Sequence, residues 1–321
     1  MDFDPRDYAD PRDRDDFDIY EARWLDDPRD QDDRERDIER DRDPKDHDPR
    51  DAFVEGLELP RGLERELVQD DRENLYELNR EDSRMLATIG AFRVVAERDL
   101  EAARDPDWNP RGDTLEHLRD EGLIRFVAID TDERAVTLTE DGRDLLEASR
   151  RERDQDDERQ EFHAGISHPR ELEHDSELFA AYLAVEEPLR DHGADIERVV
   201  LEVDLRREYQ EWLQQHNKGN PDSDGRPDRD AREIEAWARE HDLPYFDERV
   251  HFPDFRIEYE LDGRDRHEDV EVMSEHYRGA YAAAKGQTGF TCYRGGGGRG
   301  GGGGTSTGGA PFDPRAAEDF L

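Results

Sequence analysis

Two acidic residues late in the chain have the types and spacing to hold a divalent cation. Asp254 follows Pro253 inside an apolar run, Arg249–Leu261, and Glu271 falls in the next run, Glu268–Met273. Asp262-Gly263 between the runs marks a hairpin turn. Neighbouring strands joined this way bring the two carboxylates within several ångströms, and carboxylate oxygens are the ligands that Mg²⁺ or Mn²⁺ takes. A chain with 89 aspartates and glutamates also produces such a pair by chance. Histidine adds no independent metal site. His163, His168 and His174 straddle a glycine and a proline and share no helical face, while His251, His267 and His276 are scattered around the carboxylates. The string HEDVE, from His267 to Glu271, lacks a second histidine and alternates as a strand does. These histidines are therefore expected at the surface. Cys292, the single cysteine, excludes a disulfide framework and a multi-cysteine zinc site, and its apolar strand run makes it core rather than nucleophile.

The elements that must position the acidic pair begin near Phe162. His168–Gly193 puts Leu172, Leu178, Phe179, Tyr182 and Leu183 on one helical face, with Gly193 as its stop. Arg198–Val203 reads as a buried strand. Leu205–Gln215 and Ala231–His241 read as helices, separated by the polar loop Asn217–Asp230. The two carboxylate-bearing strands follow, then a helix from Ser274 to about Ala284 and a strand at Gly289–Tyr293. Helix, strand, helical insertion, two strands, helix and strand make an α/β sandwich with a mixed sheet.

A second arrangement lies upstream, in DTLEHLRDEGLIRFVAIDTDERAVTLTEDGRDLL, Asp113 to Leu146. Asp113–Glu121 is a helix that Gly122 stops, Ile124–Ile129 and Ala135–Leu138 form a hairpin, and Thr139 caps a last helix. With Ser83–Phe92 as first helix and Ala96–Ala103 as second, this is the order of a winged helix-turn-helix, and Asp113–Glu121 becomes the recognition helix. Arg93, Arg98, Arg111, His117, Arg119 and Arg125 are the candidates for phosphate or base contacts on double-stranded DNA. Asp113, Glu116, Asp120 and Glu121 share that helix and oppose the phosphate backbone, so a protein-interaction module is the competing reading.

Only 32% of the 321 residues are hydrophobic and 42% are charged, so the ordered part must be smaller than the chain. A net charge of −42 argues against general coating of nucleic acid. Lysine occurs only at Lys45, Lys218 and Lys285. A high-GC genome or a salt-rich cytoplasm would each produce that bias, and the arginine that accompanies the aspartate favours the first. No run approaches the roughly 18 apolar residues of a membrane span, and the acidic N-terminus has no signal-peptide pattern. A cytoplasmic protein is expected. Residues 1–51 are a low-complexity acidic tail in which DPRD recurs at Asp4–Asp7, Asp10–Asp13, Asp27–Asp30 and Asp48–Asp51. Residues 52–80 are a connector, in which Pro60 and Gly62 open a short helix bearing Leu63, Leu67 and Val68. The winged helix occupies 81–148, a charged linker 149–161, the α/β unit 162–294, a polyglycine linker 295–310 and a C-terminal tail 311–321.

The α/β unit resembles the PD-(D/E)xK nuclease core in its element order and in the placement of Asp254 and Glu271. In that motif a lysine follows the second acid by two residues; here the position is Met273, and Lys285 is the basic residue left to take its part. Glu173 or Asp175 matches the extra acid that some members carry on the first helix. A winged helix followed by a divergent domain of this kind resembles the replication-relaxation proteins of bacterial plasmids and mobile elements. The likeness rests on VTLTEDGRDLL, HFPDFRIEYE and VEVMSEHYR and covers about Asp82 to Arg294. It implies a DNA-binding role in replication, mobilisation or its regulation, with a relaxase or replication protein, or a second copy of the chain, as partner and a nuclease-like domain that does not cut. The alternatives are a metal-dependent endonuclease using Asp254, Glu271 and Lys285, and a non-enzymatic protein-interaction adaptor.

Overall fold

The first helix is set by its cap. Asn79 accepts hydrogen bonds from the N–H groups of Glu81 and Asp82, and the Asp82 carboxylate accepts the Asn79 N–H in return, which fixes α1 (Arg80–Phe92). Met85, Leu86 and Ile89 on it are buried, as their shared face predicts. The computed structural model describes residues 51–102, 114–131, 133–151, 159–166, 169–215, 217, 229–273 and 288–294, all within one unit, Asp48–Leu321. The molecule is α+β, with seven helices and several sheets among these residues.

Ahead of α1, the connector departs from expectation. It forms a hairpin, β1 (Glu66–Gln69) with β2 (Leu75–Leu78), and not a helix. The reason is Asp70, whose carboxylate accepts the N–H groups of Arg72 and Asn74, each at 2.8 Å, while Glu73 takes a left-handed φ of 68°. Tyr76 and Leu78 are buried, whereas Leu63, Leu67 and Leu75 stay exposed.

After α1 come β3 (Val95–Ala96), α2 (Glu97–Ala102), α3 (Thr114–Asp120), the hairpin β4 (Ile124–Ala128) with β5 (Arg134–Leu138), and α4 (Glu140–Ala148). The sheet order is β3-β5-β4, antiparallel throughout. Gly122 turns the chain after α3 at φ 79°. Thr139 caps α4 by accepting the Gly142 N–H and donates its own hydroxyl to the Gly122 carbonyl at 2.7 Å.

The second arrangement comprises α5 (Leu172–Asp191), β6 (Asp195–Leu201), α6 (Glu202–Gln214), α7 (Ala231–Glu240), a small hairpin of β7 (Tyr245–Phe246) and β8 (Arg249–Val250), then β9 (Phe255–Leu261), β10 (Arg264–Met273) and β11 (Thr291–Arg294). The large sheet runs β6-β9-β10-β11 in chain order, with two antiparallel pairings and a parallel one between β10 and β11. The run Arg249–Leu261 is not one strand. Pro253 has no N–H for a ladder and divides it, so Asp254 stands just before β9. The helix expected over Ser274–Ala284 and Lys285 lie outside the described residues.

One apolar cluster runs through both arrangements. The Phe92 ring at the end of α1 meets Phe53, Phe179, Tyr182 and Phe255 at centroid distances of 5.1 to 6.2 Å. The described end of the expected linker is woven into the same body. Phe162 packs on α1 at Gly90, and the Gln160 amide exchanges two hydrogen bonds with the backbone of Val199 on β6. A smaller aromatic cluster, with Trp237 and Phe252, joins the helical insertion to the β7–β8 hairpin. No helix among the described residues is long and apolar enough to cross a membrane.

Candidate carboxylate site

Asp254 is tied down by its own backbone. Its N–H donates to Val270 O at 3.0 Å and its carbonyl accepts from Glu202 N–H at 2.9 Å. The pairing of Val270 with Phe255 is the last of the β9–β10 register, so Asp254 stands just past its end, one residue before β9. The Asp254 carboxylate accepts the Val272 N–H through Oδ2 at 2.6 Å. Glu271 is buried, at 3% exposure.

From the opening turn of α5 comes a group that was expected at the surface. His174 Nε2 lies 3.3 Å from Asp254 Oδ1. Burial works against its charged form, but the hydrogen bond and charge of Asp254, with the charges of Asp175 and Glu271, prevail and push its pKa from 6.5 up to about 9. At neutral pH the imidazole is a cation paired with Asp254. Asp175 on the next position is pushed up by burial, against the pull of His174 and Arg93. Its neighbour Glu173 is exposed. Position 273, where the motif would carry lysine, is a buried methionine.

This donor set as it stands fits a divalent ion poorly. One oxygen of Asp254 serves the Val272 N–H, the other faces the imidazolium, and the positive charge that a metal would supply is already there. Sequence spacing held no sign of His174, because the sheet alone brings the start of α5 over the start of β9. His163 likewise departs from the surface reading, pairing with the buried carboxylate of Asp204 at 3.0 Å. Cys292 is buried, as expected. A separate acidic group, Glu197, Glu260 and Asp265, has oxygens within 4.8 Å of one another. It lies toward the opposite end of β9, on the order of 20 Å from Asp254.

The nucleic-acid candidates are spread out. Arg119 on α3 is held by Glu116 and by Asp120 at 2.8 Å, and Arg98 by Glu133 and by Asp99 at 3.5 Å. His117 is half-buried, its ring Nε2 2.6 Å from the Glu77 carbonyl of β2. Arg125 is exposed, over Gly165, and Arg111 lies outside the described residues. The one arginine of α3 is thus held by two acids of the same helix. Compared with known proteins, the chain matches no family model, no curated protein and no solved structure.

Proposed function

We propose that this chain is a DNA-binding protein of a bacterial plasmid or other mobile element, acting in its replication, mobilisation or regulation, with a nuclease-like sheet that serves as scaffold. The observation that carries the reading is the pairing of two element orders on one core. Helix, strand, two helices, hairpin and helix is the order of a winged helix-turn-helix. A helix followed by four strands paired in chain order, antiparallel twice and then parallel, with acids where the second and third meet, is the order of the PD-(D/E)xK core. The His174–Asp254 pair and Met273 favour a centre that does not cut.

The test is duplex binding by the full chain across a salt series, alongside incubation of plasmid with Mg²⁺ or Mn²⁺. Affinity should fall steeply with salt, weaken in Arg119→Ala, and leave the DNA intact. Absence of duplex binding at low salt would remove this reading and leave the adaptor. A second reading, endonuclease, is favoured by the charge of Asp254 acting on the half-buried Asp175. Cleavage that Asp254→Ala abolishes would put it first.

A further inference from the structure

Between α4, the segment 159–164 and α6 lies a cavity of about 400 Å³. Arg93, Arg143, Arg159 and Arg207 line it, against two acids, Glu147 and Glu161. In a chain of net charge −42 this local excess of guanidinium runs against the overall field. Two of the four are braced by acids. Arg143 pairs with Glu140 at 2.8 Å and Asp144 at 3.2 Å, and Arg207 with Asp204 at 3.2 Å and Glu161 at 3.7 Å. Arg93 and Arg159 make no ion pair within 4.0 Å among the described residues.

Arg93 is also held at a conformational cost. Its φ of 64° and ψ of −53°, with the Val94 N–H bonded to the Phe92 carbonyl at 2.7 Å, form a γ-turn of the strained, positive-φ kind. The buried rings on Phe92 and the pairing of β3 fix the turn from both sides, so Arg93 is set into the cavity wall by the core. We infer that this cavity binds a phosphate group, gripped by Arg93 and Arg159 and flanked by Arg143 and Arg207. Guanidinium forks match phosphate oxygens in pairs, and a partly enclosed site strengthens each charge-assisted bond. The inference deepens the DNA reading and rests on it only for the source of the phosphate: it adds a backbone contact between α4 and α6 to the one expected from α3.

The experiment uses the full chain in two arms. Thermal unfolding is followed in inorganic phosphate against chloride at equal ionic strength, and fluorescence anisotropy is followed with a labelled duplex. Wild type is set against Arg93→Gln plus Arg159→Gln, with Arg232→Gln on the exposed face of α7 as a control for lost charge. Phosphate should raise the melting temperature of wild type and of the control but not of the double variant. Duplex affinity should fall about tenfold in the double variant, with the salt slope reduced by about one. A phosphate shift equal in wild type and double variant overturns the inference. A shift lost in the double variant, with no duplex binding by any form, upholds the cavity and removes the DNA reading, assigning the phosphate to a small molecule. If circular dichroism shows the double variant unfolded, Arg159→Gln alone, at an exposed side chain, is read by the same criteria.

Discussion

At the scale of single residues, the carboxylate site is governed by one proton. His174, raised from 6.5 to about 9, binds that proton more tightly in the folded chain than in the unfolded one. Its contribution to stability is therefore complete below about pH 6.5 and lost as pH rises through about 9. The shift corresponds to at most about 3 kcal/mol, less what solvent screening removes. Urea midpoints measured on either side of this window should show wild type losing stability with rising pH and His174→Gln losing clearly less. Equal pH dependence in the two would mean that the pair adds nothing. The strands that carry the acids were legible because an apolar run and a turn determine which segments become neighbours. Their cation was not, since nothing local to His174 marks it as facing Asp254.

At the scale of elements, boundaries followed caps and glycines wherever these were present. Thr139 and Gly122 delimit the hairpin as the sequence indicated, and α1 begins a few residues earlier than its apolar face because Asn79 and Asp82 cap each other. The β1–β2 hairpin was missed because its turn is built by Asp70 side-chain bonds, which compete with a weak helical edge of Leu63, Leu67 and Val68. The junction of α4 with the α3–β4 corner offers a sharp test. A Cβ on Gly142 would stand 2.2 Å from the Leu123 carbonyl oxygen, a backbone atom held by the N–H and hydroxyl of Thr139. At Gly90 the nearest atom, 2.9 Å away, belongs to the Phe162 ring, which can shift. Gly142→Ala should cost about 3 kcal/mol or more and Gly90→Ala about 1–2. Chemical denaturation of both variants checks the ranking, and the reverse order would mean that the Phe162 contact is the more rigid.

At the scale of the whole molecule, the two arrangements are joined through Phe92. Residues placed on either side of an expected linker, Phe53 and Phe179 among them, touch the same ring, which hydrophobic periodicity within separate segments cannot reveal. Phe92→Ala should cost about 3–5 kcal/mol. Because the cluster is continuous, tryptophan fluorescence and far-ultraviolet circular dichroism should move together to the same lower midpoint. A variant whose two signals separate would show that the arrangements unfold independently. The seam has one more effect, at the rim of the large sheet. Among the described residues β6 lies at its margin, where an unpaired strand invites annealing to another chain. By bonding both the N–H and the carbonyl of Val199, the Gln160 amide imitates one rung of a neighbouring strand, so part of that edge is already occupied by a side chain.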